Sequence, residues 1–374
     1  MTQIIVTANF GLEASVKREL KNLGYDELSV SDGRITLTGE ARDIAILNLN
    51  LRCAERVLME VGAFKALSFD QLFEEVKALP WADLLFEDAN FSVDAKSYKS
   101  RLYSLADIQR ISEKAIVEKL KLTYKRSFYE KTGNRHRIEV AIRNDRVVVS
   151  LDTSGDGLHK RGYRAASFKA PISETLAAAM IELSYWNPDR PLVDPFCGSG
   201  TILIEAAMMG KNIAPGLTRH FDFEHFKFMD ASHLKEERAR AYAHIDYDTK
   251  LDLIGSDIAR KAIDIAKMNT EMLGLEDDIR FFVKDVRELD LPDNYGVIIT
   301  NPPYGMRIGG EEVAELEKAL KALYRSVPTY SMYVISAHEA LEKNVGKANR
   351  NRKLYNGGLL SYYYQYFGPR PKTV

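Results

Sequence analysis

Several things are scarce in this chain of 374 residues, and each absence narrows its function. There are two cysteines, Cys53 and Cys197. Two thiols cannot make a four-thiolate zinc site, and nothing suggests a disulfide framework, so no metal is expected and a reducing cytoplasm fits. No uninterrupted apolar stretch reaches the roughly 20 residues that a membrane-spanning helix needs. The N-terminal run Met1–Phe10 has no basic flank and no long apolar centre, which argues against a signal peptide. There is no internal repeat, no low-complexity segment, and no large charge excess of either sign, since the formal net charge is −1.

The charge is unevenly spread, however. Lys96 to Lys169 holds 18 Lys+Arg against 8 Asp+Glu, a local balance of +10, and the remainder carries 34 basic and 45 acidic residues. Such asymmetry points to one nucleic-acid-facing region on an otherwise acidic molecule, the alternative being solvated helix faces. Hydrophobic residues make up 45% and charged residues 28%, a globular balance with enough apolar material for two or three cores.

Residues 1 to about 60 read as strand, helix, strand, strand, helix, with a hairpin turn at Ser31-Asp32-Gly33. A second α+β unit follows from about 65 to 155. Its long amphipathic helix is expected over 104–122 and its hairpin over 137–152, one face of which should be wet. Thr153–Gly157 reads as a linker. From about 165 onward strands and helices alternate, which predicts a doubly wound parallel sheet edged by an antiparallel hairpin across Asn356-Gly357-Gly358.

Leu192-Val-Asp-Pro-Phe-Cys-Gly-Ser-Gly-Thr201 takes a buried strand through a glycine turn into a helix. Gly198 and Gly200 permit close approach of a ligand to the backbone. The dinucleotide fingerprint fails, because Leu203 stands where its third glycine belongs. Asp194 at the strand end would repel a pyrophosphate and suits a cationic ligand. Asp257 and Asp285 end the next two strands, at the edge where such sheets bind ligands. Asp257 is suited to ribose hydroxyls, and Asp285 to an adenine amino group, with the Val286 N–H beside it. Each alone could be a surface acid or a cap; three on successive strand ends make one pocket. Asp257 lies far beyond the usual spacing because Lys211–Lys250 intervenes, read as a helical insertion.

The most specific element is Ile298-Ile-Thr-Asn-Pro-Pro-Tyr304. An exocyclic amine on a base is a weak nucleophile because its lone pair is delocalised. The Asn301 amide oxygen and the Pro302 carbonyl can orient its N–H bonds. Pro302 and Pro303 fix the backbone, and Tyr304 offers a stacking face. Catalysis is then mostly positioning.

Asp194-Pro-Phe-Cys-Gly-Ser-Gly-Thr201 together with Asn301-Pro-Pro-Tyr304 resembles the class I amino-methyltransferases that act on adenine or guanine. Leu158-His-Lys-Arg-Gly-Tyr-Arg164 ahead of Ala170-Pro-Ile-Ser-Glu-Thr-Leu-Ala177, with the basic α+β unit upstream, is similar to the THUMP-domain RNA methyltransferases. Within these it is closest to the bacterial 23S rRNA guanine-N2 methyltransferases, a group whose chains have also carried the label N6-adenine-specific DNA methylase.

The resemblance implies a ferredoxin-like domain over 1–62, a THUMP RNA-binding domain over 63–155, a linker over 156–168 and a Rossmann-like methyltransferase domain over 169–374. It implies S-adenosylmethionine as cofactor, held by Asp194, Phe196, Gly198, Gly200, Thr201, Asp257, Ile258, Asp285, Val286 and Asn301, with Ser173 and Thr175 beside the methionine carboxylate; a plain helix cap at Ser173 is the alternative. It implies RNA as partner, with no membrane and no obligate protein partner. A second methyltransferase domain, fused to some members, is expected to be lacking. Lys160, Arg161 and Arg164 could then meet phosphates and Tyr163 a base, unless the cluster ties linker to domain through salt bridges. Arg350 and Arg352 are candidates for a second RNA contact. Two readings compete with guanine-N2 transfer: adenine-N6 transfer to DNA or RNA, and a non-catalytic RNA-binding or ribosome-assembly protein.

Overall fold

The computed structural model describes residues 1–164, 171–303 and 310–370. The first half runs β1 (Thr2–Ala8), α1 (Glu13–Asn22), β2 (Ser29–Ser31), β3 (Arg34–Gly39), α2 (Ala41–Asn50), β4 (Ala54–Lys65), α3 (Phe69–Ala78), α4 (Trp81–Leu84), β5 (Asn90–Tyr98), α5 (Leu105–Tyr124), β6 (Arg135–Arg143) and β7 (Arg146–Asp152). The second half runs α6 (Glu174–Glu182), β8 (Leu192–Asp194), α7 (Thr201–Gly210), α8 (Ala231–Ala243), β9 (Leu253–Asp257), α9 (Arg260–Glu271), β10 (Ile279–Val283), β11 (Val297–Thr300), α10 (Gly310–Ser326), β12 (Ser331–Ser336), α11 (Leu341–Val345), β13 (Arg350–Asn356) and β14 (Leu359–Tyr366).

The helices start where side chains can satisfy their first N–H groups. Ser68 accepts from Gln71 N at the start of α3, and Ser104 from Asp107 N at the start of α5. The central strands of the second half are buried because both faces of the sheet are covered there. All six residues of β12 and all four of β11 are buried.

Two seven-stranded sheets result, ordered β2-β3-β1-β4-β7-β6-β5 and β10-β9-β8-β11-β12-β14-β13. In the second, β8 to β12 run parallel, β14 opposes β12, and β13 opposes β14. The Rossmann-like sheet with its antiparallel edge is therefore present.

In the first sheet one strand spans the two expected units. Their boundary was placed near residue 62. That point falls inside β4, which pairs β1 on one side and β7 on the other. β4 was not foreseen because its buried positions do not keep a strict period of two. The outer face of β6–β7 is also drier than its charge pattern suggests. Glu139 is mostly buried, held by Arg34 and by Lys96 at 2.6 Å.

Thr153–Gly157 is not a tether either. Thr153 and Ser154 are buried, and Arg219 from the insertion donates to the carbonyls of Ser154, Asp156, Gly157 and Lys160. One apolar core runs from the first sheet through Leu158 and Tyr163 to α6 and α7. A second fills the opposite face of the second sheet. No helix among the described residues is long and apolar enough to cross a membrane.

Candidate active site and the junction behind it

β8 ends at Asp194, and the chain turns through Pro195–Gly200 into α7. Gly198 has φ +53°, and a Cβ there would meet nothing within 4 Å. Its missing side chain thus leaves room in the cavity. Gly200 is different. At φ +81° its Cβ would press on Phe281 and Ala266 at 3.1–3.3 Å, so its lack of a side chain also serves helix-to-sheet packing.

The cavity, about 670 Å³, lies over the carboxyl ends of the parallel strands. Asp194, Phe196, Gly198 and Thr201 line it from the glycine turn, Asp257 and Ile258 from the end of β9, Asp285 and Val286 from beyond β10, and Asn301 and Pro303 from beyond β11. The two sequence motifs are tied directly: Thr300 Oγ1 donates to Asp194 Oδ1 at 2.6 Å. Strand pairing causes this, since Ile298 sits opposite Val193.

Asp257 accepts from Gly198 N at 3.1 Å and Ala259 N at 2.8 Å, so it shapes the glycine turn while facing the cavity. Asp285 accepts from Arg287 N at 2.8 Å. The sequence reading did not include Pro171, Ile172, Lys284, Arg287, Glu312 and Leu316 among the lining. Glu312 and Leu316 are spaced by four on α10 and share one helix face, a signal that was available.

Asp194 is 1% exposed. Burial pushes its carboxyl up to about 7, against the hydrogen bonds from Thr300 and Phe196. The sign follows. Below that pH the neutral acid prevails, above it the anion, and a cationic ligand selects the anion. Affinity for S-adenosylmethionine is therefore expected to rise with pH between about 6 and 8 and then level off, with proton release on binding. Calorimetry in buffers of different ionisation enthalpy checks this; a flat profile would remove Asp194 from the cation's surroundings. Asp257→Ala is expected to weaken the cofactor about tenfold, the order of a hydrogen bond to a charged group. An unchanged dissociation constant would assign the ribose to another acid.

Asn301 stands at the rim of this cavity. Its Oδ1 is buried and has no hydrogen-bond partner among the described residues. Such an atom costs about 1–3 kcal/mol when left so, which is reasonable for an acceptor awaiting a substrate donor. Pro302 is buried beside it. Tyr304 lies outside the described residues.

Other expected contacts are corrected. Arg161 is 2% exposed and faces Glu205, which is fully buried, at 3.4 Å. It also donates to the carbonyls of Leu158 and Arg52. Tyr163 is buried too and gives its hydroxyl to Glu205 at 3.2 Å. Neither can touch RNA. Arg164 is turned inward to Glu174 at 3.1 Å, the Ile172 carbonyl at 3.1 Å and Thr201 Oγ1 at 3.0 Å.

The salt-bridge alternative thus describes Arg161 and Arg164, Tyr163 joins them by its hydrogen bond, and Lys160 pairs with Asp156 at the surface at 2.9 Å. Ser173 caps its own helix, and Thr175 Oγ1 donates to Glu55 Oε1 at 2.6 Å. Both face the N-terminal half and not the 670 Å³ cavity, because the start of α6 turns them that way. Arg350 is exposed and Arg352 half-buried on β13.

One group at the junction could hold a metal ion: Glu19, Cys53 and Glu182 bring ligand atoms within 4.8 Å of one another. Glu19 already accepts from the backbone N–H groups of Arg52 and Cys53. Burial raises the carboxyls of both Glu19 and Glu182, the latter to about 7. A raised carboxyl is the weaker metal ligand, because it gives up its proton less readily.

Comparison with known proteins matches this architecture. Residues 161–362 match the family described as RMKL-like methyltransferase domain, residues 3–58 the RlmL ferredoxin-like domain, and residues 66–152 the THUMP domain. The chain is 43% identical to YpsC of Bacillus subtilis, an RNA methyltransferase by name, over 97% of this chain and 95% of that one. It is 34% identical to the ribosomal RNA large subunit methyltransferase K/L of Syntrophotalea carbinolica, over 96% of this chain but 52% of that one, so it spans about half that relative's length.

Among solved structures, a Listeria monocytogenes protein described as an N6-adenine-specific DNA methylase superposes with a TM-score of 0.93 at 46% identity, covering 98% of this chain and 96% of that one. SMU.472, described as a methyltransferase and solved with S-adenosylhomocysteine (SAH), superposes with a TM-score of 0.92 at 40% identity, covering 99% of each.

Proposed function

The chain belongs to the RMKL-like methyltransferase family, a group of class I enzymes that use S-adenosylmethionine, and from that premise we propose that it methylates the exocyclic N2 amine of a guanine in 23S rRNA. The unpartnered Asn301 Oδ1 at the rim of the cavity carries this reading. Asp194, Asp257 and Asp285 would hold the cofactor's cationic end, ribose and adenine in turn. S-adenosylmethionine supplies an activated methyl group when bound.

The chain's own residues do the positioning. Asn301 Oδ1 and the Pro302 carbonyl accept the two N–H bonds of the amine and so turn its lone pair toward the cofactor side. A neutral amide suffices, because the nitrogen need not lose its proton before attack. The THUMP match and the relatives named for RNA support an RNA substrate. So does an exposed basic and aromatic patch at the end of β5, where Tyr98 is 54% and Tyr103 81% exposed beside Lys99 and Arg101. A cytoplasmic location, with both cysteines free, accords with that substrate.

The label of the Listeria structure favours a second reading, adenine-N6 transfer, because the same loop can orient either amine. Mass spectrometry of rRNA nucleosides from cells with and without the gene separates them. Loss of N2-methylguanosine supports the first reading, and loss of N6-methyladenosine the second. Unchanged rRNA nucleosides would remove rRNA as the substrate.

A further inference from the structure

A second cavity, about 500 Å³, opens where the N-terminal half meets the edge hairpin. Asn9, Phe10 and Glu55 line it from one side, and Tyr355, Gly357 and Gly358 from the other, with His159 and Ser173 between. Topology places it on the catalytic rim. β12 runs parallel to β11, β14 opposes β12, and β13 opposes β14. The end of β13 and its turn therefore lie at the same edge as Asn301. Ile172 lines the cofactor cavity and its chain neighbour Ser173 lines this one. Among the described residues, none of Asn301–Pro303 lines the second cavity, so it does not hold the reacting base.

Its chemistry is specific. Phe10 is 61% and Tyr355 39% exposed, with ring centroids 6.4 Å apart in an edge-on arrangement. Two solvated rings that touch each other but are not covered make a stacking platform. The Gly357–Gly358 turn leaves open space, since a Cβ at either would meet nothing within 4 Å.

Behind the rings lies Glu55. Its Oε1 accepts from Asn9 Nδ2 at 2.8 Å and from Thr175 Oγ1 at 2.6 Å. Its Oε2 faces only His159 Nδ1, at 3.4 Å, and keeps accepting capacity. Burial opposes the Glu55 charge, but the hydrogen bonds from His159 and Thr175 outweigh it and keep the carboxyl below its ordinary value. An ionised carboxylate only accepts. Guanine presents two adjacent donors, N1–H and N2–H₂, on its Watson–Crick edge. Adenine and cytosine place an acceptor beside their amine, which a carboxylate repels.

We propose that this cavity is a specificity subsite for an unpaired guanine next to the methylated nucleotide, stacked on Phe10 with Tyr355 against its rim and its donor edge on Glu55. The proposal rests on the RNA reading above. The test uses the full chain, a fluorescein-labelled oligouridine strand, and the same strand carrying one guanosine, read by fluorescence anisotropy. The unmodified protein binds the guanosine strand more tightly. Phe10→Ala weakens that strand about tenfold, the order that one stacked base supports, while Phe10→Trp retains it and SAH affinity stays unchanged in both. Glu55→Gln narrows the difference between the strands.

Equal binding of the two strands by the unmodified protein, or Phe10→Ala binding like the parent, overturns the subsite and leaves the RNA reading standing. A protein that binds SAH but neither strand overturns both.

Discussion

Asn301→Ala is expected to lower the rate of methyl transfer about 10²–10³-fold, the scale for removing one preorganised polar group from a reacting centre. The fall should appear in kcat, because the group acts on an amine already in place. Affinity for SAH should stay within a factor of two or so, since the cavity is lined by many other residues. The reason is geometric. Among the described residues Asn301 Oδ1 has no hydrogen-bond partner, so it is placed to accept from the amine and not to hold the cofactor. Rapid-quench single-turnover assays with labelled cofactor, with calorimetry for SAH, give both numbers. Activity equal to the parent would take the catalytic role from Asn301. A matching loss of SAH binding would make it a cofactor ligand instead.

Glu205→Ala is expected to destabilise the protein by about 3–5 kcal/mol, because it strands a buried cation. Arg161 would lose its only carboxylate contact closer than 4 Å among the described residues, and the Tyr163 hydroxyl would lose its acceptor. Arg161 is bonded besides to the carbonyls of Leu158 and Arg52, so it cannot swing out to water. The double change Arg161→Met with Glu205→Leu should recover most of the loss, since a packed apolar pair commonly replaces a buried ion pair at little cost. Denaturant unfolding of the parent and the two variants measures both effects. A cost below about 1 kcal/mol for Glu205→Ala alone would show that water reaches Arg161. The pair matters to function because the same segment carries His159 to the rim cavity and Arg164 to Thr201.

Much of the second half was legible because its strands and helices keep clean periods. The apolar runs before Asp194, Asp257 and Thr300 marked buried parallel strands, and all three lie in the second sheet. The motif residues that converge on the cavity share one cause: each lies at or just past a strand's carboxyl end. The packing need at Gly200 was not legible, because glycine answers to two needs and only its surroundings show the contact with Phe281 and Ala266. β4 was missed since a strand paired on both sides within a mixed sheet need not alternate. For the cluster Lys160–Arg164 the sequence left two readings open, phosphate contact or ties to the domain, for a similar reason. Charge is visible in a sequence, but its partner is not.

What the chain by itself determined is local: a strand, a glycine turn and a helix around Asp194, a proline-fixed Asn301, and the alternation that makes a doubly wound sheet. These depend on residues a few positions apart, where propensity and period decide. What the tertiary structure decided is which charges face solvent and which face each other. Arg161 meets Glu205 across 44 positions, and Thr175 meets Glu55 across 120. Such meetings follow from packing, so Arg161 and Thr175 became part of the scaffold, while Phe10, Glu55 and Tyr355, silent in the sequence, came together at the catalytic rim.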